Sequence, residues 1–183
     1  MITEEVAKAK RASLRMAALS TETKNSALEA MASALNKGRD RIIAANMIDM
    51  EAADREVSEG RMTQALAKRL KVDGDKIDEM ISGIRDVAKL QDPVGETISS
   101  LELDEGLELY QIRCPIGVIG TIFESRPDVV PQIMALCLKS GNSVVFKGGS
   151  EAAASNRELF ETLSDAAAST GVPRDAFVLM ESR

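Results

Sequence analysis

The sequence has no histidine and no tryptophan, and its aromatic residues are one tyrosine and four phenylalanines in 183 positions. Without histidine there is no Ser-His-Asp or Cys-His catalytic pair in the chain and no His-containing zinc site. The two cysteines, Cys114 and Cys137, fit neither a disulfide scaffold nor a metal cluster. No metal is expected, and the chain reads as a reduced, cytoplasmic protein. The most apolar stretch, residues 129–138, is about half the length that spans a bilayer. The opening Met1-Ile2-Thr3-Glu4-Glu5 turns acidic at once, unlike a signal peptide. No membrane partner is expected. The net charge is -6, and since acidic and basic side chains balance over residues 1–92, the deficit falls after Asp92. An acidic chain without a basic tract is a poor nucleic-acid binder, because phosphate neutralisation dominates that affinity. At 44% apolar residues, the chain can still bury a core.

Residues 1–92 read as helices. Thr3 and Ser20 are candidate caps. The first helix aligns Val6, Ala9, Ser13/Leu14 and Ala17/Ala18, and the second Ala27, Leu28, Met31, Ala34 and Leu35. A third carries Ile42, Ile43, Met47 and Met50, with Gly60 as its stop. A short helix covers 63–70, and the last aligns Ile77, Met80, Ile81, Ile84, Val87 and Ala88. Asp92-Pro93 breaks the pattern, since proline disfavours helix in the residue before it.

Beyond Pro93 the period changes. Residues 96–103 and 107–113 flank Asp104-Glu105-Gly106 as a hairpin. The apolar run 116–123 predicts a strand covered on both faces. A helix over 128–139, a strand over 143–147, a helix over 151–169 and a strand over 176–180 complete a β-α-β-α-β order. That order implies a parallel sheet with right-handed crossovers, the first half of a doubly wound α/β fold. Three strands leave a long unpaired edge, and the chain reads as cut. The organisation is thus a helical part (1–95), a hairpin (96–113) and a β-α-β-α-β unit (114–183).

Open parallel sheets bind ligands beyond the carboxyl ends of their strands. Two segments fall there. In Lys147-Gly148-Gly149-Ser150-Glu151, the glycines let backbone approach a ligand, the helix N-terminus favours an anion, and Lys147 and Ser150 add a charge and a donor. It equally fits a strand-end lysine before a plain Gly-Gly turn, and it is neither a Walker loop nor a G-x-G-x-x-G fingerprint. In Phe123-Glu124-Ser125-Arg126-Pro127, Arg126 suits a carboxylate or phosphate, or closes the turn onto Glu124 or Asp128. The two turns are expected to form one shared pocket. Cys114 and Cys137 read as structural.

Several stretches carry a resemblance: Cys114-Pro115-Ile116-Gly117-Val118-Ile119-Gly120, Ile122-Phe123-Glu124-Ser125-Arg126-Pro127, Leu136-Cys137-Leu138-Lys139-Ser140-Gly141-Asn142, Lys147-Gly148-Gly149-Ser150-Glu151-Ala152 and Ser155-Asn156. With Ala45-Asn46, Asp49, Arg69-Leu70 and Asp92-Pro93-Val94-Gly95, they resemble the gamma-glutamyl phosphate reductase family, a branch of the aldehyde dehydrogenase superfamily. The resemblance covers essentially the whole chain. It implies a Rossmann-like nucleotide-binding fold and NADPH-dependent reduction of L-glutamyl 5-phosphate to L-glutamate 5-semialdehyde, a step of proline biosynthesis that runs through a cysteine thioester.

The same resemblance implies site roles. Lys147 would contact the adenosine ribose of NADP, with Gly148, Gly149, Ser150 and Glu151 approaching the ribose or its 2′-phosphate. Ser125 stands where the superfamily has an oxyanion asparagine, and Arg126 would orient the substrate phosphate. Hairpin 96–113 resembles the superfamily's oligomerisation element, which implies a homo-oligomer. The family's catalytic cysteine matches neither Cys114 nor Cys137, so the catalytic domain is expected to be absent and the chain inactive alone. The alternatives are a general NAD-dependent aldehyde dehydrogenase and a truncated, non-catalytic binding module.

Overall fold

A computed structural model describes residues 2–180, with side chains from residue 4 onward. Five helices come first: α1 (Ile2–Met16), α2 (Thr21–Lys37), α3 (Arg39–Ser58), α4 (Gln64–Leu70) and α5 (Gly74–Lys89). Ser20, Thr63 and Asp73 cap three of them, each side chain accepting the N–H three residues on. Thr3 falls inside α1, and its side chain lies outside the described residues.

The antiparallel hairpin follows, β1 (Thr97–Asp104) and β2 (Leu107–Ile112), turning at Gly106 with φ +73°. Then come β3 (Val118–Phe123), α6 (Val129–Lys139), β4 (Ser143–Gly148), a 3-10 turn (Ser150–Ala152), α7 (Ala153–Ala168), a second 3-10 turn (Arg174–Ala176) and β5 (Phe177–Met180). The three later strands are parallel in the order β3-β4-β5, as the β-α-β-α-β reading requires. No helix among the described residues is long and apolar enough to cross a membrane.

One main core joins the helices to this sheet. It holds Met16, Leu28, Met31, Leu35, Ile77 and Ile84 together with Met134, Leu138, Val144, Phe146 and Leu159. Phe146 of the central strand packs edge-on against Phe123 and Phe160.

Three expectations are corrected. Among the described residues, strand β3 is an edge strand and is not covered on both faces: Ile122 is 85% exposed. In α1, Ala9, Ala12 and Met16 are buried while Val6 and Leu14 face outward. In α3 the buried face is Ile42, Asn46, Asp49 and Ala53, and Met47 and Ile48 point to solvent. Polar side chains there have partners to meet, described below, and the apolar ones yield the face to them.

The hairpin stands away from this core, with every residue of both strands exposed. At its base, Gly95 and Arg113 donate backbone N–H groups to Arg113 and Glu96. Just before it, Asp92 is tied down from the body: fully buried Lys24 donates Nζ to both carboxylate oxygens (3.0 and 2.8 Å), and the Thr21 hydroxyl and Val94 N–H donate as well. Burial pushes the Asp92 carboxyl up, but the hydrogen bonds from Lys24, Val94 and Thr21 and the Lys24 charge outweigh it. The net shift is below the ordinary carboxylate value.

A carboxyl whose pKa is lower folded than unfolded stabilises fully above its unfolded pKa, and that contribution is lost as pH falls through the folded value. Asp92→Asn leaves a buried ammonium without its counter-charge and is expected to cost about 3 kcal/mol in urea unfolding at neutral pH. The gap between variant and parent should shrink below about pH 4, where the parent carboxyl also becomes protonated.

Candidate functional site

Parallel pairing sets Ile122 beside Lys147 and Phe123 beside Gly148, so both predicted turns leave the sheet at the same end. The Gly149 N–H donates to the Phe123 carbonyl at 3.1 Å. The turns meet again further on: Glu151 Oε1 accepts the Ser125 N–H (2.5 Å) and its hydroxyl (3.1 Å). Ser125 is buried with φ +50°, a left-handed conformation rare for a residue with a side chain, and these two bonds hold it there.

Gly148 and Gly149 do not have positive φ, and a side chain at either would make a neighbouring side chain move. A β-carbon on Gly148 would lie 2.5 Å from Asn156 Nδ2, and one on Gly149 would lie 2.1 Å from a Glu151 carboxylate oxygen.

The single shared pocket is corrected by this packing. Glu151 fills the space between the turns, and two clefts result. Gly148, Gly149 and Ser150 line one of about 150 Å³ with Asn156, Leu179 and Met180. Arg126 lines the other, of about 710 Å³, against the α4–α5 corner, where it faces Lys68, Arg69, Lys71 and Asp75. Its nearest carboxylate, Asp128, is 3.9 Å away. Lys147 is half-buried, and its Nζ donates to the Gly148 carbonyl at 3.4 Å.

Asn46, Asp49 and Ser155 figure in the family likeness, but sequence reasoning missed that they position both clefts. Asp49 of α3 accepts the N–H groups of Ala154 (3.1 Å) and Ser155 (2.7 Å) and the Ser155 hydroxyl (2.6 Å). The first turn of α7, read as favouring an external anion, thus already has the protein's own carboxylate. Asn46 donates to Ser155 Oγ (3.0 Å) and to the Leu70 carbonyl (2.7 Å), and accepts the Val72 N–H (2.8 Å). The available signal was the i, i+3 spacing of Asn46 and Asp49, which puts two polar side chains on one helix face.

The smaller cleft combines open backbone, a hydroxyl and an apolar wall. Two glycines leave backbone open to it, Ser150 offers an exposed hydroxyl, and Leu179 and Met180 give an apolar wall. Asn156 Oδ1 is buried there with no hydrogen-bond partner among the described residues. The aldehyde dehydrogenase family model matches residues 1–183.

The chain belongs to the aldehyde dehydrogenase family.

Among family members, the gamma-glutamyl phosphate reductases of Methanococcoides burtonii and Methanosarcina mazei are 60% and 61% identical to it over all 183 residues. The chain spans 41% of the length of each. The crystal structure of the Thermotoga maritima gamma-glutamyl phosphate reductase superposes with a TM-score of 0.92 at 36% identity, covering 98% of this chain and 42% of that one. A salicylaldehyde dehydrogenase from Pseudomonas putida shares the fold, with a TM-score of 0.74 at 18% identity over all of this chain and 34% of that one. Membership of the family implies a nicotinamide cofactor.

Neither cysteine of this family member stands at the two clefts. Cys114 is exposed, which corrects its reading as a buried structural cysteine, and it precedes β3 at the opposite end of the sheet. Cys137 lies in the core on α6, and burial pushes its thiol up to about 11. An aromatic disulfide reagent at mild pH is expected to label one thiol in the native chain and two after denaturation. Cys114→Ser should abolish the native signal, and fast native labelling that survives it would contradict the burial of Cys137.

Proposed function

We propose that this chain is the nucleotide-binding part of a gamma-glutamyl phosphate reductase, which uses NADPH to convert L-glutamyl 5-phosphate to L-glutamate 5-semialdehyde. The observation that carries the reading is the 60–61% identity to such reductases across every residue of the chain. When bound, NADPH would supply the hydride that reduces the acyl carbon. In this reading Lys147, Gly148, Gly149 and Ser150 hold the adenosine ribose.

Glu151 acts at one remove. Its carboxylate is committed to Ser125, so it holds the turn instead of taking a ribose hydroxyl. This supports NADP over NAD: with Glu151 Oε1 bonded to Ser125, Ser150 is the exposed residue at the rim, and a neutral hydroxyl admits a 2′-phosphate that a carboxylate would repel. The buried Ser125 hydroxyl is likewise spoken for, which leaves Arg126 as the residue of its turn that meets substrate phosphate.

The hairpin supports a homo-oligomer. Its two strands expose Ile98, Leu101, Leu103, Leu107, Leu109 and Ile112 and have free edges, the form of surface that pairs with a second copy.

Titration of the 183-residue chain tests the reading. NADP should bind more tightly than NAD, and Ser150→Asp should weaken NADP by about tenfold while sparing NAD. Equal affinities, or equal losses on substitution, would count against it. The sample should sediment as more than one copy. It should show no turnover with glutamate semialdehyde, because neither thiol reaches this end of the sheet.

A further inference from the structure

The cleft on the Arg126 side has a charge pattern that the reading above leaves unused. Most ions lining it are already paired. Lys71 meets Asp73 at 2.8 Å, and Lys76 meets Glu79 at 3.0 Å and Asp128 at 3.4 Å. Lys68, Arg69 and Asp75, by contrast, make no hydrogen bond or ion pair among the described residues, and Arg126 reaches only the 3.9 Å contact with Asp128. Two cations and one carboxylate are therefore without a hydrogen bond or ion pair among the described residues, and Arg126 has only its long contact, in a cleft of about 710 Å³ on a chain whose net charge is -6.

Glutamyl 5-phosphate is the opposite pattern, with a phosphate and a carboxylate against one ammonium. The cations also come from two walls. Arg126 extends from the β3 turn, beside the nucleotide cleft, and Ser125 in its left-handed conformation fixes where that turn points. Lys68 and Arg69 occupy the last turn of α4, and Asp75 the first turn of α5. Guanidinium groups match carboxylate and phosphate with paired donors.

We propose that the α4–α5 corner binds the amino-acid end of the substrate: Arg69, supported by Lys68, takes the α-carboxylate and Asp75 the α-ammonium, while Arg126 takes the phosphate. The inference rests on the reductase reading. It makes Arg69 a specificity-determining residue, one that separates an acidic amino-acyl phosphate from a plain acyl phosphate or aldehyde.

Two stable phosphonates test it by calorimetric titration of the 183-residue chain. One is 2-amino-5-oxo-6-phosphonohexanoate in its L form, where CH2 replaces the bridging oxygen of glutamyl phosphate. The other is 2-oxopentylphosphonate, which lacks the amino-acid end. The first should bind more tightly, and Arg69→Gln should weaken it by about tenfold without affecting the second. Arg126→Gln should weaken both. Lys68, Arg69, Asp75 and Arg126 are all exposed, so the unfolding midpoint should not move.

The proposal is overturned if Arg69→Gln weakens both probes alike or neither. If NADP binds and neither phosphonate does, the cleft assignment falls and the nucleotide reading stands. If the phosphonates behave as expected and NADP does not bind, the nucleotide reading falls alone.

Discussion

Asp49 accepts three hydrogen bonds from the start of α7, and Asn46, nearly one helical turn earlier, joins the same Ser155 hydroxyl to the exit of α4. These side chains are buried, so each bond carries the full penalty of being broken without replacement, about 1–3 kcal/mol per orphaned group and more for a carboxylate. The consequence is geometric. The start of α7 borders the cleft of Gly148–Ser150, and the α4 exit carries the Lys68–Lys71 wall of the other. A single face of α3 thereby sets where both clefts stand relative to the sheet.

A second contact divides the space between them. Glu151 reaches back to Ser125 across the ends of β3 and β4, and the Glu151 carboxylate and Asn156 lie where β-carbons on the two preceding glycines would be. The arrangement separates two recognition tasks on adjacent turns of one sheet. In the proposed reading, a nucleotide meets backbone, a hydroxyl and the Asn156 oxygen, while an anionic substrate meets Arg126 and the α4 cations. Placing a glutamate between them keeps a negative charge tied to the Ser125 N–H and hydroxyl rather than loose in either cleft.

Much of this was legible in the sequence. Gly, Pro and Asp punctuate the elements clearly enough to give the β-α-β-α-β order, and parallel topology then forces the two turns to one end of the sheet. What failed did so for identifiable reasons. Apolar periodicity picked Met47 on α3 because it cannot see that Asn46 and Asp49 have buried partners 24 to 109 residues away. A run such as 116–123 looks the same in a central strand and at an edge, since order in the sheet is a tertiary fact. The division into two clefts depends on one glutamate rotamer meeting a serine 26 residues earlier, and no local pattern encodes it.

The decisive measurement is amide hydrogen exchange in Ser155→Ala. That substitution removes the hydroxyl shared by Asp49 and Asn46 but touches neither Val72 nor the α4 exit directly. If α3 holds the two clefts as one network, the Val72 amide should exchange faster relative to the Val145 amide of β4. A Val72 amide as protected as in the parent chain would show that the clefts are anchored independently, and the account would be wrong.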